Sequence, residues 1–109
     1  MQTLHHTFKI DEIGRKNNLL EILSDKYCRT IIESITYKPK SVMEITRETQ
    51  VPMSTTYRKI QLLHDSKLLK ISGIITDDGK KLFLYKSKIR GIQSVFHDGV
   101  IEVELILNN

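Results

Sequence analysis

Side chains suited to hydrogen bonding and surface contact crowd one short stretch, Val51–Leu69, VPMSTTYRKIQLLHDSKLL. Met53, Ser54, Thr55, Tyr57, Arg58, Lys59 and Gln61 fall within its first eleven residues. Arg58 offers a planar fork of donors that matches the paired acceptors on a guanine edge. Gln61 carries the donor and acceptor that an adenine edge requires, and the hydroxyls of Ser54 and Thr55 suit phosphate oxygens. Lys59 adds a cation. This is the chemistry of reading a nucleic acid, not of making or breaking bonds. The rest of the chain offers little to an enzyme. It has no Gly-rich phosphate loop, no cluster of metal ligands and no Ser/His/Asp constellation at a useful spacing. His64 and His97 stand alone and read as surface polar residues rather than general bases. Neither catalysis nor a cofactor is expected.

These side chains need a helix to hold them. Val51, Thr56, Ile60, Leu63 and Leu68 recur at a spacing that places them on one helical face, opposite the polar set. Pro52 suits the first helical position, where its missing N–H costs nothing. Upstream, Ser41-Val-Met-Glu44 matches a capping box, in which serine and glutamate each satisfy a free N–H of the other's backbone. A short helix follows, with Val42 and Ile45 inward and Arg47 and Glu48 outward. Gln50 to Met53 makes the turn. A capped short helix, a tight turn and a second helix form a helix-turn-helix, whose second member lies in the major groove. Ser41, at the start of the first helix, joins the candidate contacts.

Earlier still, Asn17 or Asn18 caps a helix carrying Leu19, Leu20, Ile22 and Leu23, and Asp25 caps the next. Along the latter, Tyr27, Cys28, Ile31, Ile32 and Ile35 form a core stripe. Cys28 lies within that stripe and reads as a small buried hydrophobe in preference to a redox or metal-sensing thiol. Leu4, His6, Phe8 and Ile10 alternate with polar residues, as in a short strand or a frayed terminus. His5 and His6 have no ligand partners at metal-binding spacing nearby.

Downstream, Leu68 to Ser87 reads as a β-hairpin. A two-residue Asp78-Gly79 turn sets Ile75 opposite Leu82 and Ile74 opposite Phe83. Lys80 and Lys81 stand at its tip, where they would meet flanking phosphate. A second hairpin closes the chain, with Asp98-Gly99 as its turn. It pairs Phe96 with Ile101, Ser94 with Val103 and Ile92 with Leu105. Ile92, Phe96, Ile101, Val103 and Leu105 thereby share one apolar face, which must be covered. A second copy is the expected cover, since groove-reading helices of this kind commonly act in two-fold pairs.

At 109 residues the chain is one domain with a modest core. The expected class is α+β: a winged helix-turn-helix of three to four helices and a hairpin wing, with an added C-terminal β-hairpin. Residues 1–16 form an N-terminal strand or arm, 17–90 the winged helix and 91–109 the hairpin. Net charge is +4, unevenly placed. Lys67–Arg90 holds seven basic residues against Asp77 and Asp78, and Gly91–Asn109 holds three acidic residues and no basic ones. An anionic partner for one face follows. The lone cysteine, the absence of an apolar run long enough to span a membrane and the absence of a signal-peptide pattern suit a cytoplasmic protein.

From about Leu19 to Lys88 the sequence resembles winged-helix regulators of the arsenical-repressor-like (ArsR-like) class, of archaeal type. The resemblance rests on VPMSTTYRKIQLLHDSKLL, on YCRTIIESITYKPKSVMEITRETQ before it and on the hairpin after it. It implies that Met53, Ser54, Thr55, Tyr57, Arg58 and Gln61 face double-stranded DNA. Three departures stand out. Ser66-Lys67 replaces the usual Ala-Gly at the helix end, so either Lys67 holds the left-handed conformation under mild strain or the helix ends differently. The metal-sensing cysteine pair is missing from Ser41–Thr49. The family's terminal dimer helix is replaced by strands. The expected function is a DNA-binding transcriptional regulator. The alternative is a winged-helix protein-interaction module or a sequence-tolerant architectural DNA binder.

Overall fold

The structure, a computed structural model, describes residues 6–109, so Leu4 and His5 lie outside the described residues. The elements run β1 (Thr7–Ile10), α1 (Ile13–Ser24), α2 (Lys26–Ser34), α3 (Val42–Thr49), α4 (Met53–Asp65), β2 (Leu69–Ile75), β3 (Lys81–Ser87), β4 (Ile89–His97) and β5 (Val100–Leu107). β2 and β3 form the wing. The other strands form a three-stranded sheet in the order β1-β5-β4, antiparallel throughout. The fold is a winged helix-turn-helix with the additional C-terminal hairpin, and the N-terminal strand is the hairpin's third member.

Local chemistry accounts for most boundaries. Asp25 caps α2, its carboxylate accepting from the Cys28 N–H at 3.0 Å. The Ser41/Glu44 capping box is formed in both directions, at 3.2 and 3.1 Å. α4 ends in a Schellman motif: the Leu68 N–H reaches the Leu63 carbonyl and the Lys67 N–H that of His64. Lys67 occupies the left-handed position at φ 62°, where glycine is usual. Gln50 has the same φ in the turn between α3 and α4.

Several expectations are corrected. α1 begins at Ile13 with Glu12 as its N-cap, so Asn17 and Asn18 lie inside the helix. Nothing in Gly14-Arg15-Lys16 stops the helical ladder, and the Lys16 ammonium ties that first turn to the Ile101 carbonyl at 3.2 Å. Pro52 is the N-cap of α4 rather than its first residue. Tyr27 is exposed, while Cys28, Ile31, Ile32 and Ile35 are buried as the stripe required.

The wing register also differs. Ile74 faces Leu82, Ile75 faces Lys81 and Gly73 faces Phe83. Its turn holds three residues, Asp77-Asp78-Gly79, with Gly79 at φ +82°. The Gly79 N–H bonds the Thr76 carbonyl at 2.9 Å and the Thr76 N–H bonds the Lys80 carbonyl at 2.8 Å. This is the alternative hairpin loop, a type I turn followed by a left-handed glycine. The Thr76 hydroxyl bonds Asp78 and locks it. The second hairpin keeps the expected register, with Asp98-Gly99 as its turn and both residues at positive φ.

One core unites the helices and the sheet. Leu19, Ile22, Ile31, Ile45, Ile60 and Leu63 meet Ile10, Ile89, Val103 and Leu105. Val103 is 0% and Leu105 4% exposed, both inside their own subunit. Ile92 and Ile101 are half-buried against the same cluster. Of the five residues expected to face a second copy, Phe96 alone is largely free, at 71% exposed. The apolar face of the hairpin covers α1, because a helix and a sheet can each bury one face and here they bury them against each other.

Candidate nucleic-acid interface

α4 divides cleanly into two faces. Thr56, Ile60 and Leu63 are buried, while Met53, Ser54, Tyr57, Arg58 and Gln61 are exposed and Thr55 is half-buried. The buried Thr56 hydroxyl anchors the start of the helix. It bonds the Pro52 carbonyl at 3.1 Å and meets the Thr46 hydroxyl of α3 at 3.3 Å. The angle between the two helices is thereby held by packing and by a polar contact. On the open face, an Arg58 guanidinium nitrogen donates to the Thr55 hydroxyl at 3.3 Å. The Gln61 amide donates to Asp65 at 2.9 Å, one helical turn on. Both are exposed intrahelical contacts, weak enough to exchange for an external partner.

Two expected contacts are spoken for. Ser41 is buried, and its hydroxyl is used by the capping box. Lys59 reaches across to α2 and pairs with Asp25 at 2.6 Å, the two side chains 19% and 25% exposed. Burial pushes the Asp25 carboxyl up, but the Lys59 hydrogen bond, the Cys28 N–H and the Lys59 charge outweigh it and hold the group below its usual range. Lys59 therefore ties α4 to α2 rather than pointing to solvent. Cys28, beside this pair, is buried, and desolvation followed by the Asp25 charge pushes its thiol up to about 11. Such a thiol is protonated and unreactive at neutral pH.

The wing stands beside the open face of α4. A cleft runs between Ser41, Val42 and Met43 of the α3 start, Tyr57 of α4, and Lys81, Phe83 and Tyr85 of β3. Sequence reasoning missed what docks the wing there. Lys40 and Tyr85 exchange backbone hydrogen bonds at 3.0 and 2.8 Å, adding a one-residue bridge to the edge of β3. Pro39 disfavours the helical region for Lys38 before it, so the chain reaches the bridge in non-helical backbone. Met43, exposed, lines this cleft together with Tyr57.

At the tip, Lys80 is exposed and 3.9 Å from Asp78. The Lys81 ammonium sits 5.0 Å over the Phe83 ring. The Thr76 hydroxyl holds the Asp78 carboxyl low, so the tip carries negative as well as positive charge. Among the described residues, no group of three His, Cys, Asp or Glu side chains is placed to hold a metal ion. None of the described helices is long and apolar enough to cross a membrane.

No family model matches the chain, and no curated protein matches its sequence. Solved structures do share its fold. NolR from Sinorhizobium fredii superposes with a TM-score of 0.57 at 13% identity, over 71% of this chain and 72% of that one. A possible transcriptional regulator from Methanosarcina mazei Go1 superposes with a TM-score of 0.56 at 16% identity, over 76% of each chain.

Proposed function

We propose that this protein is a DNA-binding transcriptional regulator of the ArsR-like class, of archaeal type, acting in the cytoplasm without catalysis. α4 enters the major groove, and Lys80 and Lys81 rest on flanking phosphate. The observation that carries the reading is the division of α4: one face is closed into the core, and the other presents Ser54, Tyr57, Arg58 and Gln61 beside a basic ribbon. The structural neighbour from Methanosarcina mazei Go1, named as a possible transcriptional regulator, supports it. Met53, Thr55 and Met43 complete the surface. Ser41 and Lys59 are left out, since each already has a partner.

One gel-shift series on selected DNA sites tests this. Arg58→Ala costs about 1–3 kcal/mol of specific binding, because a bidentate base contact is lost. The double variant Lys80→Ala/Lys81→Ala weakens binding on every sequence and flattens the salt slope by roughly 2, one unit for each phosphate released. An Arg58→Ala protein that binds every site as well as the parent would remove α4 from the groove. The alternative is a protein-docking winged helix. It is favoured by the exposed Ile74, Ile75 and Phe83 on the wing, and it predicts that neither variant changes DNA binding.

The active species is proposed to be a homodimer reading two half-sites about 34–36 Å apart. Its contact is the tip of the β4–β5 hairpin, where Phe96 and Val100 stand exposed beside Ile13 of α1. Phe96→Glu shifts the sedimenting species from dimer to monomer while the circular dichroism spectrum is unchanged. A Phe96→Glu protein that sediments like its parent would place the contact elsewhere.

A further inference from the structure

A cavity of about 450 Å³ opens on the side of the molecule formed by α1, α2 and β4. Its volume lies within the range usual for small-molecule sites. Ile22, Ile32 and Ile89 form an apolar floor, all buried. Its rim is polar and unbalanced. Arg29, Arg90 and Glu33 are its charged lining residues, two guanidiniums against one carboxylate. Neither arginine forms an ion pair among the described residues. Each is held by a neutral group instead. Arg29 donates to the Leu23 carbonyl at 2.8 Å, and Arg90 donates to the Tyr37 hydroxyl at 3.0 Å while lying 5.7 Å over its ring. Both are thus oriented, and both keep donors free for an anion, since a guanidinium has five. No residue of α4 or of the wing lines this space.

We propose that this cavity is an effector site for a small carboxylic acid with an apolar body, the carboxylate held by Arg29 and Arg90 and the body seated on the three isoleucines. An apolar floor with a few convergent polar groups is the usual build of such a site, and paired guanidiniums select planar anions. The link to DNA is the junction where the wing joins the sheet. Ser87, the last residue of β3, donates its N–H to the Ile35 carbonyl at 3.0 Å and its hydroxyl to the Ile89 carbonyl at 2.6 Å. The Asn108 amide donates to the carbonyls of Thr36 and Ser87. Thr36, Ile89 and Arg90 also line the cavity. A ligand there bears on the residues that set the pose of the wing, and it changes DNA affinity by as much as it prefers one pose. That last consequence rests on the regulator reading; the binding of the acid does not.

The test uses the full-length, isotope-labelled protein. Phenylacetate and isovalerate are titrated in, with phenylacetamide as the neutral counterpart. At least one acid is expected to shift the amides of Ile32, Ile89 and Gly91, with a Kd at or below about 1 mM. Where phenylacetate is the binder, the amide binds at least about tenfold more weakly. Arg29→Gln and Arg90→Gln each weaken the acid at least about tenfold while the rest of the spectrum stays in place. Adding the acid changes the gel-shift affinity of the parent protein and not that of Arg90→Gln. The proposal is overturned if neither acid binds, if shifts map elsewhere, if phenylacetamide binds as well as phenylacetate, or if both glutamine variants keep full affinity. Binding without any change in DNA affinity overturns the effector role. Gel shifts without acid report separately on DNA binding itself.

Discussion

A chain ending at Arg90 will not fold. Residues 91–109 carry Val103 and Leu105, which are fully or almost fully buried against Leu19 and Ile22, together with the half-buried Ile92 and Ile101. Truncating a single buried aliphatic side chain typically costs about 2–5 kcal/mol. Losing both buried ones, with the cover they give α1, takes most or all of the roughly 5–15 kcal/mol that keeps a domain folded. The loss extends beyond side chains. Among the described residues β1 pairs with β5 alone, and Asn108 supplies the hydrogen bonds that satisfy the carbonyls of Thr36 and Ser87 at the root of the wing. The expected result is a collapsed far-UV spectrum and an amide spectrum without dispersion. A truncated chain that melts cooperatively near the parent's temperature would show that the four helices close a core by themselves, against this account.

That result bears on how the proposed dimer can be tested. Sedimentation of a truncated chain cannot locate a subunit contact, because the hairpin is part of the subunit's own interior. Point substitution at its tip can. Phe96 and Val100 stand exposed at that tip, outside the buried core, so a charge placed there leaves the core intact.

The helix-turn-helix was legible because its signals are local. The capping box at Ser41, the Asp25 cap and the spacing of Val51, Thr56, Ile60 and Leu63 each need only a few consecutive residues, and each stands where expected. The second hairpin was legible for the same reason, since Asp98-Gly99 fixes its register by backbone conformation alone. The wing register was not, because Asp77-Asp78-Gly79 supports either of two loops. The three-residue loop is the one formed, with the Thr76 hydroxyl bonded to Asp78, a contact that a pattern of apolar residues does not encode. Long-range pairings were silent in the same way. Lys59 looks like any basic residue of a groove-reading helix, and only the fold brings Asp25 to it from 34 positions away. The five apolar residues of the C-terminal hairpin announced that something must cover them, and sequence could not say whether that was a second copy or their own helices.

Asp25→Ala should destabilise the protein by about 2–4 kcal/mol at neutral pH, because one carboxylate does two jobs. Loss of the N-cap costs about 1 kcal/mol, and leaving a half-buried Lys59 unpaired adds about 1–3 kcal/mol. Asp25→Asn separates the two, since an asparagine oxygen still caps α2 but carries no charge for Lys59. It should recover the smaller part of the loss. The pH dependence fixes the sign. The folded pKa of Asp25 is held below its unfolded value of about 3.9, so its contribution is complete above that pH and is lost as pH falls through the folded value. The gap between parent and Asp25→Ala in urea melts should therefore be constant from neutrality to about pH 5 and narrow at more acid pH. The double variant Asp25→Ala/Lys59→Met closes the cycle. Removing the stranded ammonium should restore stability relative to Asp25→Ala, while additive losses would mean that the pair is not coupled. Because the pair fastens α4 to the start of α2, a stability loss that runs parallel to weaker DNA binding would mark Lys59 as a strut behind the proposed reading face. DNA affinity that falls for Lys59→Met while stability holds would return it to the groove.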